Sequence, residues 1–125
     1  MWLSIFAIFF GAGFGALLRA GFNLLAAGTA SMVPLGTLLA NLLGGYLIGI
    51  AIAFFGNNPN LSPEWKLFVI TGFLGGLTTF SSFSAEVITL IQRGELTWAL
   101  GTALLHLIGS LTLTFLGILT YQALK

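Results

Sequence analysis

Two phenylalanines set among hydroxyl side chains are the residues of this sequence most suited to chemistry. Phe80 and Phe83 are three positions apart, and Ser81 and Ser84 have the same spacing. Residues three apart lie on one face of a helix, so the two pairs occupy neighbouring faces. An aromatic ring carries a positive edge. Ring edges and hydroxyl donors together can therefore replace the water around a small anion.

Two further polar stripes lie in apolar stretches. Thr37 and Asn41 are four residues apart, and His106, Ser110 and Thr114 recur at the same interval. Residues four apart share a helix face, so the second stripe is expected to face the same path as the hydroxyls above. For Asn41 two interpretations stay open. One is an interhelical hydrogen bond, common for membrane asparagine, and the other is an amide donor facing a polar path.

Arg19 and Glu86 are charged residues inside apolar runs. Charge at membrane depth is costly, which makes both residues functional candidates. Arg19 either snorkels to the interface as an anchor or attracts anions at a vestibule, and both roles are compatible. Glu86 is a vestibule residue, a salt-bridge partner or a proton-coupling carboxylate. One histidine and no internal aspartate provide no nucleophile–base–acid set, so the chain is not expected to be an enzyme.

The composition predicts an integral membrane protein. Of the 125 residues, 58% are hydrophobic and only 6% are charged, whereas about a quarter of a soluble domain is charged. We expect one domain, residues 1–125. The absence of cysteine excludes disulfides and thiolate metal sites, and a net charge of +1 offers no footprint for nucleic acid. The first apolar run lacks a preceding basic region, so a retained span is expected rather than a signal peptide.

Four apolar stretches are long enough to cross a bilayer, which requires about 20 residues. They predict an all-α membrane protein with helices at residues 2–27, 35–55, 63–91 and 96–124. The connections are a short polar link at 28–31, a clear loop at 56–64 and a tight turn at 92–95. Ser62 is expected to cap the third helix, with Pro63 in its first turn.

The third helix is predicted to be broken at Gly75 and Gly76, because adjacent glycines weaken a helix. Irregular backbone at membrane depth is tolerated only where protein buries it or where it lines a cavity. Residues 72–86 therefore predict a path for something polar. Elsewhere, glycines at small-xxx-small spacing predict close helix packing; they are Gly11, Gly13, Gly15, Gly45 and Gly49.

The basic residues provide no orientation signal. Four spans put both termini on one side, together with Lys66 and Lys125, while Arg93 and Arg19 lie towards the other side. The orientation of a membrane protein usually follows an excess of Lys and Arg on one side. Here each side has two of these residues. The sequence therefore predicts dual-topology insertion and an antiparallel homodimer with a self-complementary interface. A dimer is also the economical way for four short helices to form a pore.

Three segments of the chain resemble the Fluc (CrcB-type) fluoride channels. They are residues 15–19, 36–44 and 72–84, with the sequences GALLR, GTLLANLLG and GFLGGLTTFSSFS. They lie on three of the four helices, in the family's order. The resemblance implies a dual-topology antiparallel homodimer with two pores in a bacterial inner membrane. It further implies passive fluoride export with selectivity over chloride, which protects the cell. The implied partners are fluoride, a second copy and membrane lipid.

The resemblance also implies roles for individual residues. Phe80 and Phe83 match the family's paired phenylalanines, and Asn41 matches its pore asparagine. Arg19 matches the arginine at the pore entrance. Glu86 is a second vestibule candidate because it lies near the end of the polar path, and the resemblance does not assign it. His106 stands at a position where relatives can carry tyrosine. The polar residues assigned to the fluoride pore are Thr37, Asn41, Ser81, Ser84, His106, Ser110 and Thr114.

A structural Na⁺ at the dimer centre is a further implication of the resemblance. Backbone carbonyls at the break in the third helix bind it in the family, and here these would belong to Gly75 and Thr78 of both subunits. Hard cations accept carbonyl oxygens, so such a site requires no carboxylate.

Two other classes of protein share parts of this pattern. Proton-coupled small multidrug transporters have the same size, four helices and dual topology. They need a carboxylate in the first helix, where this chain has Gly13, Phe14 and Gly15. A structural subunit of a larger membrane complex would not need a stripe of hydroxyls and a broken helix.

Overall fold

Four apolar helices make up the fold. The computed structural model describes residues 1–29 and 31–125. Within these residues the helices are α1 (Trp2–Ala26), α2 (Leu35–Gly56), α3 (Pro63–Gln92) and α4 (Leu96–Leu124), each long and apolar enough to cross a membrane. The predicted all-helical architecture is confirmed, with helix ends displaced by at most one residue. The predicted link at 28–31 includes Ala30, which lies outside the described residues.

The turn between α3 and α4 is tight, as predicted. Gly94 has a φ of 77°, a left-handed conformation that glycine adopts without steric penalty. The N–H of Gly94 donates to the Ile91 carbonyl at 3.0 Å, and that of Glu95 donates to the Leu90 carbonyl at 2.9 Å. This pair of bonds is a Schellman motif, which satisfies the last carbonyls of α3.

The start of α3 differs in one detail from the prediction. Ser62 occupies the N-cap position and Pro63 follows in the first turn, but the Ser62 side chain caps no backbone N–H. Its hydroxyl donates instead to the Glu64 carboxylate. A charged acceptor two residues away competes for the hydroxyl, because hydrogen bonds to ionised groups are the stronger ones.

The break in α3 lies at Thr78 and Thr79, and the predicted break at Gly75 and Gly76 is wrong. Gly75 is helical, with φ −63° and ψ −37°. Thr78 and Thr79 are extended, with ψ angles of 156° and 118°. Before the break, α3 is π-helical over Leu67–Leu74 and α-helical over Gly75–Leu77. After it, the second half of α3 is the α-helix Phe80–Gln92.

Side-chain chemistry explains this position of the break. β-branched residues favour extended backbone, and threonine is a good N-cap. Thr79 Oγ1 accepts from the N–H of Ser82 at 3.2 Å and so starts the second half of α3. Gly76 has a different purpose, since a Cβ there would lie 2.9 Å from the Cα of Ala12. The glycine therefore permits close contact with α1 and does not bend the chain.

The first half of α3 (residues 63–77) packs along α1 through small residues. A Cβ on Gly11 would lie 2.9 Å from the Phe73 nitrogen, and one on Gly15 would lie 2.7 Å from the Leu77 nitrogen. Gly13 has nothing within 4 Å of its Cβ position. Close packing is thus confirmed for Gly11 and Gly15 and is wrong for Gly13. Leu77, which is fully buried, belongs to the small apolar core.

α2 and α4 run parallel in a constant register. Asn41 contacts His106, a separation of 65 residues, and the same offset brings Gly45 against Ser110 and Gly49 against Thr114. A Cβ on Gly45 would lie 3.0 Å from the Ser110 carbonyl oxygen. The predicted glycine packing of α2 is confirmed. The close approach aligns the polar stripes of the two helices turn by turn.

Candidate functional site

A groove of about 470 Å³ lies between α2, α4 and the break in α3. It brings together residues that are far apart in the sequence. Its lining combines polar side chains with apolar ones, among them Phe80 and Phe83. Among the described residues that line it, none is acidic and His106 alone can become cationic. Its polar side chains are Asn41, Thr78, Thr79, His106, Ser110 and Thr114.

The two aromatic residues that line the groove come directly after the break, in the first turn of the second half of α3. The rings of Phe80 and Phe83 have centroids 5.5 Å apart at an interplanar angle of 57°. Phe83 also lies against the imidazole of His106, with centroids 4.6 Å apart. Phe80 is 79% exposed. The ring of Phe83 is therefore held by α4, while that of Phe80 projects from the surface of the chain.

Asn41 pairs with the backbone at the break. The N–H of Thr79 donates to Asn41 Oδ1 at 2.8 Å, and Asn41 Nδ2 donates to the Thr79 carbonyl at 3.1 Å. The same Nδ2 lies 3.0 Å from Nδ1 of His106. The side-chain amide thus imitates a neighbouring peptide group. The interhelical interpretation of Asn41 is confirmed, and its role as a donor to an ion stays a prediction.

Ser110 and Thr114 differ in what their hydroxyls bind. Thr114 Oγ1 lies 2.8 Å from the Gly45 carbonyl and 2.9 Å from the Ser110 carbonyl, so its hydrogen is engaged with backbone. The Ser110 side chain has no hydrogen-bond partner among residues 1–29 and 31–125. Ser110 is therefore the α4 hydroxyl in the groove that can donate without first giving up a bond.

Several predicted site residues lie outside the groove. Ser81 and Ser84 are exposed on the second half of α3. Thr37 Oγ1 donates to Glu86 Oε2 at 2.6 Å, so the partner of this carboxylate is a hydroxyl and not a basic side chain. Arg19 Nε donates to the Gly76 carbonyl at 3.2 Å. Arg19 thus stabilises the end of the first half of α3, and its vestibule role stays a prediction.

Two carbonyls near the break lose their usual helical donors. In a continuous helix the N–H of Thr79 would donate to the Gly75 carbonyl, and that of Ser82 to the Thr78 carbonyl. Here the Thr79 N–H donates to Asn41, and the Ser82 N–H donates to Thr79 Oγ1. Among residues 1–29 and 31–125, the carbonyl oxygens of Gly75 and Thr78 are thereby left without these donors and can accept others or a cation.

Sequence reasoning missed Thr79 and Thr102. Thr79 contributes backbone groups to Asn41 and a cap to Ser82. The signal was available in the two consecutive β-branched threonines before a helical segment, a pattern that favours an extended N-cap. Thr102 is fully buried. It continues the stripe of His106 one turn towards the start of α4, a spacing readable from the sequence.

Comparison with known proteins identifies the family. A family model described as "CrcB-like protein, Camphor Resistance (CrcB)" matches residues 6–118. The chain belongs to the CrcB family. This confirms the resemblance carried by the three sequence motifs.

Similar proteins share this chain over its full length or nearly so. A protein of Polynucleobacter asymbioticus named "Fluoride-specific ion channel FluC" is 80% identical over 125 residues, which is 100% of both chains. A protein of the same name from Tolumonas auensis is 60% identical and covers 100% of this chain and 98% of its own. One from Burkholderia mallei is 59% identical, covering 98% and 96%. Together with the four apolar helices, these relatives identify a multi-pass membrane protein of an ion-channel family.

The pairing of Asn41 with the break predicts a large effect of mutation. Asn41→Leu keeps the approximate volume but leaves the N–H and carbonyl of Thr79 without a partner. Each unpaired buried group costs about 1–3 kcal/mol, so we expect a loss of roughly 2 kcal/mol or more of unfolding free energy. The measurement is thermal or denaturant unfolding of the purified protein in detergent.

Tyr46→Phe is the matched control for Asn41→Leu. Tyr46 is on α2, like Asn41, and the change removes one hydrogen bond to α4, from Tyr46 Oη to Thr120 Oγ1 at 2.9 Å. It leaves no backbone group unpaired. Single hydrogen bonds in membrane proteins contribute about 0.6 kcal/mol on average. Equal losses for the two variants would contradict the bridging role of Asn41.

Proposed function

We propose that this chain forms a fluoride-selective channel, through which fluoride leaves a bacterial cell passively across its inner membrane, giving fluoride resistance. The observation that carries the proposal is the groove, whose lining combines hydroxyl and amide side chains with the rings of Phe80 and Phe83. The names of relatives as much as 80% identical support fluoride as the ion.

The chemistry of the groove fits a small, strongly hydrated anion. Such an ion needs several donors at close range to replace its water, and several weak sites so that it can leave again. Ser110 supplies a free hydroxyl, and the phenylalanine rings supply positive edges. Asn41 supplies an amide whose hydrogens already have partners. A fixed positive charge, which would trap the ion, is not part of this set.

An antiparallel homodimer with two pores is the assembly that we propose. The groove of one protomer is open on one side, and Phe80 projects from the surface beside it with 79% of its area exposed. Ser81 and Ser84 are on the same exposed helix. A second copy would cover the groove and bring these hydroxyls into a pore. Twofold symmetry would create two equivalent pores.

A structural Na⁺ at the centre of this dimer completes the proposal. The free carbonyl oxygens of Gly75 and Thr78 are suitable ligands, because hard cations bind backbone oxygens. One protomer offers two such oxygens, and the twofold axis of a dimer would double that number. Bound there, the ion would hold the two breaks together.

Fluoride flux through purified protein tests the central proposal. We expect liposomes containing the native protein to release fluoride without a proton gradient and to retain chloride. Phe80→Ile or Phe83→Ile should abolish fluoride efflux, because the ring edges are lost, while the oligomeric state is unchanged. An ion-selective electrode measures the efflux.

Phe115→Ile is the control for the loss of a ring. Phe115 lies on α4 outside the groove and is 61% exposed, so its replacement should preserve efflux. Native liposomes that release no fluoride would sink the channel proposal. Release that requires a proton gradient would favour a coupled transporter instead.

Dual topology predicts that a given loop lies on one side of the membrane in half of the copies and on the other side in the rest. Because the chain has no cysteine, Asn60→Cys and Gln92→Cys each introduce one thiol, on opposite ends of the helices. An impermeant maleimide applied to intact spheroplasts should label equal fractions of the two variants, with the remainder reacting after lysis. Complete labelling of one variant with none of the other would indicate a single orientation and exclude the antiparallel dimer.

The proposed cation site predicts dependence on sodium. Purified protein should unfold at a higher temperature in Na⁺ than in N-methyl-D-glucamine at equal ionic strength, because a ligand that binds only the folded state stabilises it. Dimers should also persist to lower protein concentration in Na⁺. Identical unfolding temperatures and dimer fractions in the two salts would contradict a structural sodium ion.

A further inference from the structure

Three buried polar atoms lack partners where α2, α4 and the second half of α3 meet. Among the described residues they are Glu86 Oε1, Thr102 Oγ1 and His106 Nε2. Thr102 is 0% exposed and His106 is 4% exposed. Buried polar groups nearly always bind protein or ordered water. Three such atoms therefore indicate an occupant.

The register of α2 and α4 brings Thr102 to the same level as Thr37. Asn41 contacts His106, and the helices are parallel, so the residues one turn earlier on each helix also face each other. These are Thr37 and Thr102, which have the same offset of 65 that separates the hydrogen-bonded pair. Thr37 in turn donates to Glu86 at 2.6 Å.

Contacts of α3 with α4 place Glu86 at this level independently. Phe83 lies against His106, and α3 and α4 are antiparallel neighbours joined by a short turn. Glu86, one turn beyond Phe83, is therefore next to Thr102, one turn before His106. Two separate registers thus converge on one polar layer, defined by Glu86, Thr102 and His106.

Hydrogen-bond directions define what the occupant must do. The N–H of Thr79 donates to Asn41 Oδ1, which fixes the amide orientation and makes Nδ2 the group that donates to His106. Nδ1 of the imidazole is then an acceptor, so Nε2 carries the hydrogen. The layer contains one unpaired donor, His106 Nε2, and one unpaired acceptor, Glu86 Oε1. The Thr102 hydroxyl can act as either.

We propose that an ordered water molecule binds in this layer, accepts from His106 Nε2, donates to Glu86 Oε1 and bonds to Thr102. An anion can only accept, and it would lie beside a carboxylate. A metal cation would leave the imidazole N–H unpaired. Water alone among these satisfies both groups, and it has the two to four polar partners that a buried water requires. The site does not depend on which ion the groove conducts.

A structure of the full-length protein in lipid, at a resolution that shows ordered water, tests this site. We expect density bonded to Thr102 Oγ1 and Glu86 Oε1 in fluoride-free buffer, retained in Thr102→Ser and weakened in Thr102→Val, which removes one of its three partners. A dry layer in the native protein, or density that appears only when fluoride is added, would overturn the proposal. The native map decides even where a variant fails to fold.

Thermal unfolding provides a second test, because Thr102→Val should shift the unfolding temperature differently in a layer that binds water and in a dry layer. With water bound, Thr102→Val removes one of the three hydrogen bonds that hold the water, and the unfolding temperature shifts downward. In a dry layer the same change removes an unpaired hydroxyl, so the temperature stays unchanged or rises, which would refute the water site. Thr112→Val, at an exposed position of the same helix, is the matched control and should leave the temperature unchanged.

Discussion

The pairing of Asn41 with the backbone of Thr79 is the interaction on which the rest of the structure depends. A helix inside a membrane can be interrupted only if the freed backbone groups find partners within the protein. The Asn41 amide provides both an acceptor and a donor to the same residue, at 2.8 and 3.1 Å. Because it comes from α2, it ties the break to a different helix. The position of the phenylalanines that follow the break is thereby fixed relative to the polar side chains of α2 and α4.

Glycines set the regular spacing of the polar side chains along α2 and α4. α2 and α4 approach so closely at Gly45 that a Cβ would lie 3.0 Å from the Ser110 carbonyl oxygen. Close approach lets Thr114 donate across the interface to the Gly45 carbonyl at 2.8 Å. The parallel register then repeats every turn, so polar residues of one helix meet either polar residues or glycine on the other. Glycine thus aligns the polar residues of the groove by letting the two helices lie this close together.

Much of this arrangement is readable from the sequence because it rests on composition and local spacing. Hydropathy located the four helices, and the fourfold spacing of His106, Ser110 and Thr114 predicted that they share one face of α4. The position of the break was not readable from the glycines, because Gly76 is explained by its contact with Ala12 of another helix. The bond between Thr37 and Glu86 joins residues 49 positions apart. Such pairings depend on helix registers that no local pattern contains.

The polar groups of the groove differ in whether their hydrogen-bond donors already have acceptors within the protein. The Ser110 hydroxyl has no partner in the part of the chain that the structure describes, whereas Thr114 and Asn41 already donate to protein acceptors. An anion that moves along the groove would bind Ser110 directly but would have to compete with the Thr79 carbonyl or with His106 for the amide hydrogens of Asn41. Each such exchange replaces one hydrogen bond with another, so its net free energy is small compared with the strength of either bond. Binding sites that differ little in free energy are what rapid passage requires, because an ion that is held tightly at one site does not leave it. The preformed bonds of Asn41 stabilise the broken helix. In the proposed channel they would also keep the amide from holding an anion too firmly.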